Sequence, residues 1–281
     1  MNTSMFVRYF QEGGSPPPPV VKIPGFVHPV TEHYLEELDT LFSSSPSSSA
    51  AADDYNDECE EDDDDEVGEE EGELTTPPSS SDIYPRNNSQ RVAVGSAPRV
   101  INYEQKYSAH RLFPLIAKTV MHADSLGTAA GDDGAILVFM SGIGEISRAL
   151  TEITQLAGRM GRLQSLWLLP LHGSLTAADQ QRVFQRPKRG LRKVVVCTNV
   201  AETSITIDDC VYVIDSGKMK EMQYEAEGRL SSLVEKDVSA ANARQRRGRA
   251  GRVRPGHCFR LFTRAKSNAL PAHQTPEIHR K

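Results

Sequence analysis

The sequence has one tryptophan, four cysteines and no long apolar run. Its longest uninterrupted apolar stretch, near residues 135–140, falls far below the roughly 18 residues that a membrane-spanning helix needs. Cys59, Cys197, Cys210 and Cys258 are widely spaced and form no CxxC pair, so they read as reduced thiols of an intracellular protein. The eight histidines show no HExxH or other paired ligand spacing, which argues against a structural metal. The first ten residues lack the basic-then-apolar layout of a secretory signal, so secretion is not expected. No GxxxxGKS/T phosphate loop occurs. Asp57-Glu58-Cys59-Glu60 imitates a magnesium-holding acidic motif by letters alone, because no strand precedes it. Gly142-Ile143-Gly144 is no dinucleotide fingerprint either, since Ser147 stands where the third glycine belongs.

Basic residues are also missing between positions 53 and 73, where fifteen acidic residues crowd together. The whole chain carries 32 Lys and Arg against 38 Asp and Glu, a net charge of −6. Without that run 23 acids face 32 bases, a net +9, so the remainder of the chain is basic. Serine tracts at 43–45, 47–49 and 79–81 flank the acids, and large apolar residues are almost absent from 43–90. Such a segment buries too little surface to offset its ordering entropy and is expected to be disordered. It reads as a solvated, self-repelling linker, or as a tail that binds a protein partner or inhibits its own domain.

Residues 1–42 look ordered, with Met5, Phe6, Tyr9 and Phe10 at near-helical spacing and a proline spacer at 16–19. From residue 91 a β–α alternation begins. Residues 135–140 form a buried-strand pattern, followed by Ile143, Ile146, Leu150 and Ile153 on one helical face. Residues 166–169, 193–197, 211–214 and 256–262 predict further strands. Thr176 with Asp179 three residues on resembles a capping box that opens a helix through Gln180, Arg182 and Phe184. The expected fold class is α/β, a parallel sheet with helices on both faces, with functional loops at the carboxyl ends of its strands.

Two stretches carry chemistry. Residues 244–254, RQRRGRAGRVR, hold six arginines in eleven positions, after Ser239 as a plausible N-cap and three alanines. An arginine-rich segment by itself is more often a nucleic-acid tether. On a helix, however, Gln245, Arg249 and Arg252 would share a face, and arginine's planar fork fits phosphate oxygens. Residues 197–208, CTNVAETSITID, put small hydroxyl and amide side chains directly after a strand, material suited to phosphate contacts.

Taken together these stretches resemble the DEAH-box (DEAH/RHA) family of ATP-dependent RNA helicases. TNVAETSITI (198–207) is similar to that family's motif V and QRRGRAGR (245–252) to its motif VI. ILVFMSGIGEI (136–146) resembles motif IV, LPLHGSLTAADQQRVF (169–184) the motif that follows it, and VYVIDSGKMKEMQYE (211–225) the entry to a β-hairpin. A weaker echo lies at 20–38.

The resemblance implies a RecA-like fold and the following division of the chain. Residues 1–42 would be the end of a first RecA-like domain and a linker, 43–90 a disordered insert, and 91–265 the second RecA-like, helicase C-terminal domain. Residues 266–281 would begin the connection to a winged-helix domain. It further implies ATP with Mg²⁺ as cofactor, the magnesium ligands lying on a first RecA-like domain. Partners would be single-stranded or structured RNA and that first domain, in cis or in trans, in the cytoplasm or nucleus.

By the same resemblance Arg249 and Arg252 are arginine fingers on the γ-phosphate, and Gln245 positions the attacking water. Ser204 senses the γ-phosphate, Asp208 accepts a ribose hydroxyl, and Phe184 stacks on the base. Thr198, Asn199, His172, Gly173 and Ser174 contact RNA phosphates. For Phe184 the competing reading is a core phenylalanine, and for His172 a satisfied histidine at a strand end. For the chain as a whole it is a non-catalytic RNA-binding module, or a truncated product, holding half an ATP site.

Overall fold

The computed structural model describes residues 3–11, 16–21, 27–44, 101–107, 109–203, 205–225 and 230–275. The Ser- and acid-rich segment expected to be disordered lies outside the described residues.

After an amino-terminal helix α1 (Thr3–Gln11), strand β1 (Val30–His33) leads into α2 (Leu35–Ser43). A short α3 (Tyr103–Lys106) and the long α4 (Ala109–Ala129) precede β2 (Ala135–Phe139) and α5 (Ile143–Arg159). Next come β3 (Leu166–Leu171), α6 (Ala177–Gln181), β4 (Arg192–Cys197), α7 (Val200–Thr203) and β5 (Cys210–Asp215). The hairpin β6 (Lys218–Glu225) and β7 (Leu230–Asp237) follows, then α8 (Ala240–Arg247), β8 (Gly256–Arg260) and α9 (Arg264–Ala269).

Six strands form one sheet in the order β1-β8-β5-β2-β4-β3, and every pairing in it is parallel. The continuous apolar runs become its centre: every residue of β2, β4 and β5 is buried. Side chains alternate between two cores. Ile136, Val138, Val194, Val196 and Ile214 pack against α4 and α5 on one face. Leu137, Phe139, Val195, Cys197 and Val213 pack on the other against Ala201, Ile205, Ile207 and Ala250. That second face is closed by the 198–209 and 248–251 segments as well as by helix. The two stretches singled out for chemistry are therefore anchored in the core, with Ala201, Ile205, Ile207 and Ala250 turned inward and Val253 exposed. The β6–β7 hairpin is antiparallel, with Lys218 opposite Asp237.

The division at residue 42 does not follow the fold. Val30 to His33 pair in register with Gly256 to Phe259, which makes β1 an edge strand of the main sheet. Glu32 explains the attachment: it accepts hydrogen bonds from Arg247 Nη1 at 2.6 Å and Arg260 Nε at 2.7 Å. Burial would raise its pKa, but these two cations outweigh burial and hold it below the usual carboxylate range.

Candidate functional site

Two groups of the expected site residues sit at opposite ends of the sheet. His172, Gly173 and Ser174 follow β3, and Thr198 and Asn199 follow β4, at the carboxyl ends of adjacent strands. The Thr198 amide donates to the Leu171 carbonyl at 3.1 Å, drawing the two turns together. Gly173, Ser174 and Asn199 are exposed, forming a polar rim. His172 is half-buried, and its Nδ1 is enclosed without a hydrogen-bond partner among the described residues. It is not the satisfied histidine of the competing reading.

Phe184, Asp208, Arg249 and Arg252 precede β4, β5 and β8, so they lie toward the amino-terminal edge. The expectation that functional loops gather at the carboxyl ends therefore fits only the first group. In a parallel sheet a segment that covers one face must run from one edge to the other, and residues 198–209 do this between β4 and β5.

Ser239 caps α8, its hydroxyl accepting from the Asn242 amide at 3.2 Å. The helix stops at Arg247, with Gly248 as its C-cap. Gln245, Arg249 and Arg252 thus do not share one helical face: Gln245 is exposed on the last turn, and both arginines lie in the turns beyond. Gly251 lets the segment entering β1 approach this turn closely. A Cβ at that position would come within 2.6 Å of the His28 carbonyl oxygen and 2.7 Å of Val30.

Both arginines reach back to the segment after Ser204, which itself lies outside the described residues. Arg249 is buried and donates through Nη1 to the Ile205 carbonyl at 3.0 Å. Arg252 is exposed and donates to Thr206 Oγ1 at 2.8 Å. Burial first, and the charge of Arg252 second, lower the pKa of Arg249. Arginine nevertheless stays protonated. Two cations held together with too little counter-charge are a setting that an anion would relieve. Asp208 is exposed on the same segment. Phe184 closes a 3-10 turn after α6, which Thr176 caps as expected, and its ring is 51 % exposed. It is not a core phenylalanine.

Sequence reasoning missed the group that holds this arrangement. Arg246 has 0 % exposure and donates to Asp215 Oδ1 at 2.7 Å, to Glu202 Oε2 at 3.3 Å and to the Lys218 carbonyl at 3.2 Å. Its guanidinium carbon lies 4.8 Å from the centre of the Phe139 ring. Burial works against its charge, yet Asp215 and Glu202 outweigh that and raise its pKa. Asn242 on α8 also donates to Glu202. One network therefore joins α7, α8, the end of β5 and the root of the hairpin. Its members lie 31 and 44 residues apart in sequence, with no periodicity to reveal them. The signal available was an arginine inside a patterned run and two carboxylates beside apolar strands.

The donor set fits phosphate better than metal. Among the described residues no three His, Cys, Asp or Glu side chains converge on a metal position. What comes together beside residues 205 and 206 is arginine.

A family model described as the helicase conserved C-terminal domain matches residues 118–254. The chain is 38% identical over all its 281 residues to the DExH-box ATP-dependent RNA helicase DExH1 of Arabidopsis thaliana, covering 26% of that protein. It is 34% identical over the same length to the ATP-dependent DNA/RNA helicase DHX36 of Homo sapiens, again covering 26%. Over 169 residues, 60% of this chain, it is 49% identical to the chloroplastic DExH-box helicase DExH4 of Arabidopsis thaliana, covering 12% of it. Among solved structures, the Escherichia coli DEAH/RHA helicase HrpB is similar with a TM-score of 0.52 and 34% identity, over 61% of this chain and 21% of that one. The chain spans about a quarter or less of the length of these relatives.

Proposed function

The chain belongs to the helicase conserved C-terminal domain family, in its DExH/DEAH-box branch, and from this we propose that it forms the arginine-bearing half of an ATP site and part of a single-stranded RNA track. In this reading Arg249 and Arg252 grip the γ-phosphate and Gln245 orients the attacking water. Ser204 senses the γ-phosphate, Asp208 accepts a ribose hydroxyl, and Phe184 stacks on the base. Thr198, Asn199, His172, Gly173 and Ser174 follow the RNA backbone at the other edge. A first RecA-like domain completes the nucleotide site.

The observation that carries the proposal is the anchoring of both arginines on residues 205 and 206. A guanidinium already tied to the scaffold needs little reorganisation when charge develops in the transition state. ATP, when bound, supplies the phosphoryl group that passes to water, and Mg²⁺ would take its ligands outside the described residues.

The test joins this chain to a first RecA-like domain and measures RNA-stimulated ATP hydrolysis. Arg249→Ala should lower turnover by roughly 10³-fold or more. Undiminished turnover in that variant would reject the assignment.

A further inference from the structure

Lys193 is 1 % exposed at the start of a strand whose next four residues are Val194, Val195, Val196 and Cys197. A charged ammonium there is costly unless every donor is used. All three are. Its Nζ donates to the Val183 carbonyl at 2.8 Å and to the Gln185 carbonyl at 3.1 Å, and it pairs with Asp209 Oδ1 at 2.8 Å.

The choice of acceptors is informative. Two of them are the carbonyls on either side of Phe184, so the backbone is pinned before and after the exposed ring. The third belongs to the neighbour of Asp208. Val183, fully buried, holds the first segment from its apolar side. The Asp209 carbonyl accepts the Ala135 amide at 2.7 Å and fixes the second segment to β2. Arg192, the preceding residue, is committed to a different set of partners, Asp124 and the Gly134 carbonyl. Packing alone would be served by an apolar residue of similar volume. A lysine does one thing more: it sets the distance between the segment around Phe184 and the segment at Asp209.

We propose that Lys193 is a positioning residue, a buried strut that fixes the ring of Phe184 relative to the carboxylate of Asp208 and so shapes the adenine–ribose half of the nucleotide site. The role in nucleotide binding rests on the proposed function above; the strut itself does not.

Amide hydrogen exchange on the whole 281-residue chain tests the strut. In Lys193→Met, exchange at residues 184–186 and 208–209 should quicken together by about tenfold or more, while residues 194–197 and 211–214 keep their protection. Asp209→Asn, which weakens one of the three bonds and keeps the lysine, should give the same pattern at smaller amplitude. It decides the matter if the first variant does not fold. Unchanged exchange, or a rise spread evenly over the sheet, would overturn the proposal.

The consequence for nucleotide is read in the ATPase assay with a first RecA-like domain. Lys193→Met should raise KM for ATP about tenfold with kcat within about twofold, and Lys193→Arg should restore part of the loss. Phe184→Ala serves as the reference. If Phe184→Ala leaves KM unchanged, the stacking assignment fails while the exchange result still judges the strut. If Phe184→Ala raises KM and Lys193→Met does not, the positioning role fails.

Discussion

Arg246 and Arg249 are three positions apart in one basic run, yet their surroundings give them opposite tasks. Arg246 sits in full enclosure with Asp215 and Glu202, themselves buried, as its counter-charges. Arg249 is buried beside a second arginine and has no ion-pair partner among the described residues. The first is an internal clamp, and the second is the one that the proposed function assigns to the γ-phosphate. Replacing Arg246 by methionine would leave buried Glu202 without its cation and Asp215 with only Arg260, 3.6 Å away. Urea unfolding of the chain should therefore show a loss of about 3–5 kcal/mol, because breaking a buried pair leaves uncompensated charge. A loss below about 1 kcal/mol would mean that the network is hydrated and does not clamp.

At the scale of elements, the attachment of β1 depends on a row of rings as well as on Glu32. His33 and His257 face each other across the β1–β8 pair with ring nitrogens 3.1 Å apart, and the Phe259 ring stacks 4.8 Å from His33. His122 of α4 closes on Phe259 from the side. Burial lowers the pKa of all three histidines, and mutual repulsion adds to it for His33 and His122. Glu37 beside His33, and Asp132 toward His257, pull the other way and are outweighed. Each histidine's ordinary value lies near 6.5. As pH falls through that value the unfolded chain takes up protons that the folded stack still refuses, so stability declines. Thermal unfolding should accordingly show a lower Tm at pH 5.5 than at pH 7.5, and His257→Phe should flatten the difference. An unchanged pH slope in that variant would place the acid sensitivity elsewhere. The elements themselves were largely legible beforehand. The apolar runs of β2, β4 and β5, the face of α5 at Ile146 and Ile153 (though not Ile143, which is exposed) and the caps at Thr176 and Ser239 all follow from local pattern. The need for glycine at 251 did not, because it is set by the His28 backbone, 223 positions away in the chain.

For the molecule as a whole, the net charge of −6 averages an acidic segment and a basic remainder. If the polar rim at the carboxyl ends of β3 and β4 is an RNA track, binding of single-stranded RNA should weaken linearly in log affinity against log salt. Deleting residues 53–73 should tighten it if the acids compete for the same surface. Equal affinity with and without them would separate the segment from RNA binding.

Composition, periodicity and motif spacing by themselves determined the parallel α/β class, the order of most strands and helices along the chain, and the two stretches on which the proposed function rests. These are local properties: a run of β-branched residues or a capping pair expresses itself wherever the chain goes. The tertiary structure alone decided that β1 closes the sheet edge, that the expected residues divide between its two ends, and which arginine is enclosed by carboxylates and which is not. It also decided that Lys193 ties Phe184 to the neighbour of Asp208. Each of these depends on contacts between segments distant in sequence, and on which charges lose their water when those segments meet. Burial and partnership are set by the packed fold, and no residue carries them in its own letter.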